Sequence, residues 1–526
     1  MHHHHCAKPR VVFVRRLLLL VAAVSLSTAC AASPAPQAAV PSDAPTPVPT
    51  GVSGAVDDAY SELSSADRVR QLLMLPVSSL DPAAARTLVR QNRPGGLIIM
   101  APGTAKQWAR VVKAAQAQAR SLGLPPLLIG ADQENGTLVR RMRMPVTLPG
   151  AMVLGAAVAG DRERGLQASE QIADLTGRWL AAGGVNIDFA PVADVNVRPS
   201  NPVIGIRSPG AFPGIVGDAV AGQVAGFETS NVLSTAKHFP GHGDTATDSH
   251  LGLAKVTHSR AKMNRIDLPP FQDAIDAGVP AIMVAHVTVP AVDDRPATVS
   301  KEIVTGILRD DMGFDGLVVT DSLGMGAVAS RPNLYRDVIA AGIDVLLMPN
   351  DPATAVAQVR NSPGLSKTRV RDAVVHVLAA KDRLGLLSTG LKYPSAPNKK
   401  QSRNTARRTA AAGITVLGAC RNLVSGGATV VGSGPAADGV RQGLRAAGVG
   451  SGPARVVVSA GSPGAADIWV ATSSPYGALR APAKQRVLTY GDVQASGWAA
   501  GQAIAGQLDS LGGLPVRGPK PCARIR

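Results

Sequence analysis

Aromatic, charged and cysteine residues are all scarce in this chain of 526 residues. Aromatic side chains make up 3% of the sequence, which leaves few surfaces on which single-stranded nucleic acid could stack its bases. Charged residues make up 17% and hydrophobic residues 45%, a balance that excludes a disordered or fibrous protein. The length excludes a single small module and predicts two or three globular domains, one of which could be a large barrel.

Acidic residues are fewer than basic ones, and this sets the charge of the surface. Lys and Arg number 54 against 37 Asp and Glu, so the formal net charge is +17. Such an excess can favour nucleic acid, an anionic membrane surface or an acidic polymer. Outside the N-terminal segment the sequence has no block dense in Lys and Arg. We therefore expect a generally basic surface suited to an anionic cell envelope, and no nucleic-acid partner.

The N-terminal segment has no hydrophobic run long enough to cross a membrane. A positively charged region that ends at Arg16 precedes the apolar run Leu17–Leu26, which is shorter than the about 20 residues of a membrane span. Small residues and then Cys30 follow, an order typical of a signal peptide over residues 1–30. Cys30 resembles the lipidated cysteine of a bacterial lipobox. We expect an exported lipoprotein anchored to the outer face of the cytoplasmic membrane, with ordinary secretion as the alternative.

The segment after Cys30 has the composition of an unfolded linker, and the rest of the chain has that of a folded protein. Residues 31–54 are rich in Pro and Ala, which predicts an extended tether. Only Cys420 and Cys522 remain as cysteines after this segment. In an exported chain these two thiols could pair as a disulfide or stay as separate buried thiols.

Residues 55–387 alternate short apolar runs with helical stretches, a pattern that predicts βα units around a parallel sheet. Eight strands would close a TIM-like (β/α)8 barrel, and a doubly wound open sheet is the alternative. The predicted strands are Leu72–Val77, Gly96–Met100, Pro126–Ala131, Val185–Phe189, Leu233–Ala236, Ala281–Ala285, Gly316–Thr320 and Val345–Met348. Helices are predicted over, among others, Ala105–Leu122, Asp161–Ala182 and Ile303–Met312.

The position of the polar residues favours the barrel. Asp132, Lys237 with His238, His286 and Asp321 each stand directly after a predicted strand. In barrel enzymes the chemistry gathers on the face formed by the carboxyl ends of the strands.

A second, smaller domain is predicted after the barrel. Residues 388–404 have the composition of a linker, and residues 405–526 predict an αβα sandwich. Its predicted strands are Ile414–Leu417, Thr429–Gly432, Arg455–Ser459, Ile468–Ala471 and Val487–Tyr490. The glycine cluster Gly432–Pro435 indicates a turn rather than a nucleotide site.

The segment Lys237–His250 concentrates ionisable residues in a loop. His238 and His242 are four residues apart, but the Pro and Gly residues between and beside them exclude the helix that would aim both imidazoles at one metal ion. Proton transfer is the preferred interpretation, because imidazole titrates near neutral pH and a neighbouring carboxylate stabilises its charged form. Asp248 and His250 could form such a pair, and we expect no metal and no cofactor.

The whole segment resembles the signature of the glycoside hydrolase family 3 β-N-acetylglucosaminidases, in their NagZ-like branch. Further segments resemble the same family and stand in the family's order along about residues 60–386. They are Ala131–Arg140, Asn186–Val195, Asn201–Ser208 and Val318–Met325.

The resemblance implies a retaining mechanism with a covalent glycosyl-enzyme. It makes Asp321 the nucleophile and His250, partnered by Asp248, the general acid and then the general base. A structural alternative for Asp321 is a cap on the helix that follows.

The resemblance also implies a set of sugar-binding residues. They are Asp132, Arg140, Arg207, Lys237 and His238, to which we add His286 and Met325. Arg140 and Arg207 could instead form surface ion pairs. Asn135, Thr137 and Pro209 depart from the family pattern and bear on the fine specificity of the pocket.

One further absence separates branches of the family. Related β-glucosidases recruit a Glu from the second domain, yet no Glu follows Glu302 in this sequence. By resemblance we expect an exo-acting β-N-acetylglucosaminidase, monomeric, that acts on peptidoglycan fragments or related envelope glycans. The alternatives are a glycoside phosphorylase, a broader β-glucosidase of the same family, or a non-catalytic glycan-binding lipoprotein.

Overall fold

The computed structural model describes residues 53–249, 252–390 and 394–525. Three of the predictions made above lie outside these residues: the signal peptide with Cys30, nearly all of the tether, and His250.

Helices and strands alternate along most of the described chain. The helices are α1 (Gly54–Glu62), α2 (Ser65–Arg70), α3 (Pro82–Asn92), α4 (Ala105–Ser121), α5 (Ala151–Gly160), α6 (Arg162–Ala182), α7 (Pro213–Thr229), α8 (Arg260–Ile266), α9 (Pro269–Asp276), α10 (Leu334–Ala341), α11 (Pro352–Asn361), α12 (Lys367–Arg383), α13 (Lys399–Gly413), α14 (Pro435–Ala446), α15 (Pro475–Ala478) and α16 (Gln494–Ile504). Two short 3-10 turns lie at Gly205–Arg207 and Ala297–Val299, and a π-helix lies at Glu302–Asp311.

The strands fall into three sheets. They are β1 (Leu73–Val77), β2 (Gly96–Ile99), β3 (Leu128–Ala131), β4 (Ile187–Asp188), β5 (Leu233–Phe239), β6 (Ala254–Lys255), β7 (Ala281–Val284), β8 (Val287–Val289), β9 (Asp293–Pro296), β10 (Leu317–Thr320), β11 (Leu346–Leu347), β12 (Thr415–Gly418), β13 (Ala428–Val431), β14 (Ala454–Ser459), β15 (Ile468–Ala471) and β16 (Gln485–Leu488).

The largest sheet is a barrel of eight parallel strands in the order β10-β7-β5-β4-β3-β2-β1-β11. The first and last strands of this domain pair through Leu73 and Leu346. A parallel bridge between Val319 and Val345 brings β10 next to β11 and so closes the ring. All eight predicted strands are confirmed, and the barrel, not the open sheet, is the arrangement.

Helix α4 shows how the local sequence builds the outer layer. Thr104 accepts a hydrogen bond from the Gln107 N–H, and the Gln107 side chain accepts one from the Thr104 N–H. Such a capping box satisfies two otherwise unpaired backbone donors, and losing the cap residue costs about 1 kcal/mol. Trp108 and Val112, four residues apart, lie buried on the face that packs against the barrel core.

The second domain is a five-stranded sheet in the order β12-β16-β15-β14-β13. All pairs are parallel except β12 with β16. All five predicted strands are found, although the last lies two residues earlier than predicted, at Gln485–Leu488.

Helix α5 is shared between the two domains. Its Leu154 and Val158 belong to the main core, while Met152 and Val153 pack with Trp469 and other side chains of the second sheet. A helix that is apolar on every side is expected where both faces are buried. The predicted αβα sandwich therefore includes a helix contributed by the barrel domain.

The predicted linker 388–404 is too long, because helix α13 already begins at Lys399. Asn398 accepts hydrogen bonds from the backbone N–H groups of Lys400 and Gln401, which gives the helix its start. Further along, Cys420 and Cys522 form a disulfide across 102 residues of sequence, so the paired alternative is the one the structure contains.

The second domain also contacts the loops at the carboxyl ends of the barrel strands. The Tyr476 hydroxyl donates to the Asn196 carbonyl at 3.4 Å, and the Ala211 N–H donates to the Pro515 carbonyl at 2.9 Å. Within the described parts of the chain, no helix combines the length and the apolar character needed to cross a membrane.

Candidate active site

Asp321 stands directly after β10, at the carboxyl end of the barrel. Its carboxylate accepts a hydrogen bond from the Ser322 N–H at 2.7 Å. Burial opposes ionisation, but the neighbouring His238 and His286, the Ser322 N–H and Lys237 outweigh it, so the pKa of Asp321 lies below its ordinary value. The carboxylate is therefore held in its charged, nucleophilic form.

His286 supports the segment that carries Asp321. The imidazole is fully buried, with Nε2 at 2.9 Å from the Ser322 carbonyl oxygen and Nδ1 at 3.0 Å from the Thr298 hydroxyl. Because a carbonyl only accepts, Nε2 is the donor to Ser322. Met325 lies on the same segment, buried, with its N–H bonded to the Ser322 carbonyl. His286 and Met325 thus both bond to the carbonyl of Ser322, the residue that follows Asp321.

Lys237, at the end of β5, is the cation at the centre of the site. Its Nζ lies 3.0 Å from Asp132 Oδ1 and 2.8 Å from Glu134 Oε1. Burial lowers the pKa of Lys237, but the two carboxylates raise it further, so the pKa is above its ordinary value and the amine stays charged. The structure therefore brings Asp132 and Lys237 together, as expected. Glu134 also contacts Lys237 and joins it to a second cation, Arg207.

Glu134 links Lys237 to Arg207. The guanidinium of Arg207 donates to both oxygens of Glu134, each at 2.7 Å, and its side chain is only 10% exposed. Burial acts against the charge of Glu134, but Arg207 and Lys237 hold its pKa below the usual range. Arg207 thus forms an ion pair, as one alternative foresaw, but a buried one inside the site. Its Nη2 also lies 3.3 Å from His238 Nε2.

Asp188, the last residue of β4, lies beneath this cluster. One oxygen accepts the Gln133 N–H at 3.0 Å, while Oδ2 is buried and without a partner among the described residues. Burial and the nearby charges of Asp132 and Glu134 raise the pKa of Asp188 well above its ordinary value, against the opposing effect of Lys237. The direction of this shift reflects the crowding of Asp188, Asp132 and Glu134 around Lys237.

Asp194 anchors the histidine segment. Its Oδ2 lies 2.7 Å from His238 Nδ1, and its Oδ1 accepts the backbone N–H groups of His238 and His242 at 3.2 and 2.7 Å. This one buried carboxylate therefore sets both the orientation of the His238 ring and the path of the loop that follows.

The rest of the loop folds back on His242. The ring nitrogens of His242 lie 2.8 Å from the Thr245 hydroxyl and 2.9 Å from the Ser249 hydroxyl. Both are thus engaged by hydroxyls, and the metal interpretation finds no support in this geometry. Asp248 is half-buried, and its carbonyl accepts the Gly252 N–H at 3.1 Å. Asp248 therefore lies on the loop that starts at His238, while His250 lies outside the described residues.

Arg140 does not join the cluster. A bridge between Gln133 and Arg140 folds the loop after β3 back on itself, so the Arg140 side chain is exposed and donates to Thr147 at 3.0 Å. The two departures in the same loop are also accounted for. Asn135 donates to the Thr176 hydroxyl at 2.9 Å, and Thr137 lies against Gly491 of the second domain.

Sequence reasoning missed two carboxylates that organise the site, Glu134 and Asp194. Asp132 and Glu134 are two residues apart, and in an extended segment that spacing places both side chains on one side. Asp194 lies in the loop after β4, six residues beyond the end of that strand. Both lie inside segments that resemble the family, which was the available signal for Asp194, while Glu134 could also have been found from its spacing to Asp132.

The assembled site can hold a polar ring and attack it. Two cations and their carboxylate partners offer charge-assisted hydrogen bonds in fixed directions, which suit hydroxyl groups. A charged Asp321 lies beside them at the carboxyl face of a (β/α)8 barrel, the place where such barrels carry out their chemistry.

This class of barrel enzyme is matched by the comparisons. A model of the "Glycosyl hydrolase family 3 N terminal domain" matches residues 65–380, more than half of the chain. The chain therefore belongs to glycosyl hydrolase family 3, which confirms the family resemblance noted in the sequence.

Two curated relatives and one solved structure are similar to it. "Beta-hexosaminidase A" of Pseudoalteromonas piscicida is 38% identical over 288 residues, 51% of this chain and 48% of that protein. A "Beta-hexosaminidase" of Alkalilimnicola ehrlichii is 35% identical over 281 residues, 53% of this chain and 80% of that protein. The chain thus spans about half the length of the first relative.

The solved structure extends the likeness to both domains. It is a glycoside hydrolase family 3 beta-N-acetylglucosaminidase from Paenibacillus sp., with a TM-score of 0.75 and 29% identity, and the match covers 86% of this chain and 99% of that chain.

Proposed function

We propose that this protein is a retaining exo-β-N-acetylglucosaminidase that releases terminal β-linked N-acetylglucosamine from peptidoglycan fragments or related envelope glycans. The observation that carries the proposal is the charged Asp321 beside the ion-paired Lys237, Glu134 and Arg207 at the carboxyl face of the barrel. The names of the relatives and of the similar solved structure support the choice of sugar.

In the proposed first step Asp321 attacks the anomeric carbon as the bond to the leaving oxygen breaks, and His250 gives that oxygen a proton. In the second step His250 takes a proton from water, whose oxygen replaces Asp321 at the anomeric carbon. Asp248 keeps the imidazole oriented and stabilises its charged form. Lys237, Asp132 and Arg207 would bind ring hydroxyls, and His286 would keep the Asp321 segment in place.

The absence of glutamate from the second domain supports a loop-borne acid. No Glu follows Glu302 in the sequence, whereas Asp248 lies on a loop that begins at the site itself. This argument favours the N-acetylglucosaminidase over a β-glucosidase that draws its acid from the second domain.

The test is hydrolysis of para-nitrophenyl β-N-acetylglucosaminide, followed by nuclear magnetic resonance to identify the anomer first released. We expect the β-anomer first, and we expect Asp321→Asn to lower kcat by at least about 10⁴-fold, since it removes the nucleophile. Asp310→Asn is the matched control, because Asp310 is an exposed aspartate close in sequence and outside the site. Inversion, or an Asp321→Asn variant as active as the control, would disprove the proposal.

The same preparation separates the alternatives. Sugar phosphate formed in phosphate buffer would identify a phosphorylase, and saccharide binding without product over long incubation would identify a binding protein. Defined muropeptides compared with simple β-glycosides would identify the natural leaving group.

We further propose that the enzyme is a monomer exported to the cell envelope and held there by a lipid on Cys30. The order of charged, apolar and small residues before Cys30 supports this. Metabolic labelling with a fatty-acid analogue should mark the wild type and not Cys30→Ala. Label on both proteins, or on neither, would exclude the anchor.

A further inference from the structure

Outside the site, one buried histidine stands between two carboxylates. His258, between β6 and α8, is 2% exposed. Its Nδ1 lies 2.6 Å from Asp267 Oδ2, and its Nε2 lies 2.6 Å from Asp244 Oδ2. Hydrogen bonds of this length between imidazole and carboxylate are of the strong, charge-assisted kind.

Both carboxylates reach the loop that carries Asp248. Asp244 is itself a member of that loop. Asp267 lies against Gly241, where an added Cβ would come within 2.9 Å of the Asp267 Cβ and where φ is +122°. Only glycine readily adopts this backbone and leaves room for the carboxylate. His258 therefore links Asp244 of the loop to Asp267, the residue after α8, and Asp267 in turn lies against Gly241 of the same loop.

From Asp244 the loop leads to Asp248 past Thr245, which is buried and bonded to His242. Arg198 donates to the Asp244 carbonyl at 3.0 Å and pairs with its carboxylate at 3.2 Å. Beyond Asp244, Ala246 and Thr247 are exposed, and Ser249 returns to His242. The segment around Asp248 is thus held on both sides, and its Asp244 end is the one that His258 contacts.

The charges around His258 favour its protonated form. The hydrogen bond to Asp267 contributes most and raises the pKa of His258, burial opposes it, and the bond to Asp244 adds to the rise. Lys262 acts in the opposite direction, and Asp194 adds negative charge near Asp267. A charged imidazole between two carboxylates would hold Asp244 more firmly than a neutral one, which can donate to only one of them.

We propose that His258 is a positioning residue: by bridging Asp244 and Asp267 it holds the loop that carries Asp248, one member of the proposed proton-transfer pair, in the position that proton transfer requires. This inference rests on the proposed function and adds a residue that contacts neither the substrate nor the reacting atoms.

The test compares two substrates that differ in their need for an acid. The leaving group of phenyl β-N-acetylglucosaminide needs protonation more than that of the dinitrophenyl glycoside. For His258→Gln we expect kcat/KM to fall by about 10- to 100-fold on the phenyl substrate and by less than about 3-fold on the dinitrophenyl one. The parameter kcat/KM is used because it reports the glycosylation step. His376→Gln is the matched control, since His376 is also buried and bonded to an aspartate, Asp344, but lies in α12.

The ratio of the two rates separates positioning from stability. A merely structural role would lower both rates by the same factor or leave both unchanged, and either result would overturn the proposal. If thermal unfolding shows that His258→Gln is not folded, Asp244→Asn decides, since it leaves the His258–Asp267 bond intact and should shift the same ratio. A wild type inactive on both substrates would instead count against the proposed function.

Discussion

The binding cluster and the loop that carries Asp248 are secured in different ways. The binding cluster, formed by Asp132, Glu134, Arg207 and Lys237, joins side chains from the ends of different strands through buried ion pairs. The loop is held near its start by Asp194 and the His258 bridge, and further along by the hydroxyls of Thr245 and Ser249, which bond to His242. We expect the binding cluster, which is held by buried ion pairs, to be more firmly preorganised than the loop that carries Asp248.

The largest effect is expected from breaking the binding cluster at its centre. Glu134→Gln leaves Lys237 and Arg207 without their shared counter-charge, so kcat/KM should fall by at least about 10³-fold and the free energy of unfolding by about 3–5 kcal/mol. Steady-state kinetics and urea unfolding measure the two effects. Glu170→Gln, an exposed change on α6, serves as the control. A variant as stable and active as that control would show that the cluster is not preorganised by ion pairing.

A smaller effect, confined to chemistry, is expected in the loop. Asp248→Asn removes the carboxylate that is proposed to orient His250, so kcat should fall by about 10²-fold while the free energy of unfolding changes by less than about 1 kcal/mol. The comparison with Glu134→Gln is informative because that variant should lose both activity and stability, whereas Asp248→Asn should lose activity alone. A loss of stability as large as that of Glu134→Gln would show that the loop is as firmly held as the cluster.

The two regions should also differ in how their stability depends on pH. Glu134 and Asp321 have lowered pKa values, so their contribution is present above the unfolded-state pKa of a carboxyl and is lost as the pH falls through the folded value. His258 has a raised pKa, so its contribution is complete below the unfolded-state pKa of about 6.5 and is lost as the pH rises through the folded value.

Urea unfolding of the wild type and His258→Gln across pH tests this sign. We expect the wild type to be more stable near pH 6 and the difference to shrink as the pH rises through the folded-state pKa of His258, which lies above its ordinary value. A difference that grows with pH would mean that His258 is neutral in the folded protein.

The smallest effect is expected at Arg140, which sharpens the limits of the binding cluster. Since its guanidinium is exposed and bonded to Thr147, Arg140→Ala should change kcat/KM by less than about 3-fold. Arg207→Ala, measured in parallel, should lose more than about 100-fold, because it leaves Glu134 buried with one partner fewer. Equal losses for the two variants would show that Arg140 does bind the substrate, which would require the loop after β3 to move.

The fold could be predicted because its signals are local. Each barrel strand is a short apolar run, and the residues that follow the strands carry the polar groups of the site. Arg140 could not be placed in this way, because a bridge to Gln133 turns its loop back on itself. Neither could the start of α13 at Lys399, where the Asn398 cap takes effect within a stretch of linker composition.

The sequence by itself determined the eight barrel strands, the five strands of the second sheet, the order of the motifs and the lack of a glutamate after Glu302, since these depend on residues close together in the chain or on simple counts. It did not reveal the small third sheet of β6, β8 and β9. Only the tertiary structure decided which charges pair. Lys237 and Asp132 are 105 residues apart, and Cys420 and Cys522 are 102 apart. Ion pairs and disulfides depend on distance in space, and folding alone sets that distance between remote segments.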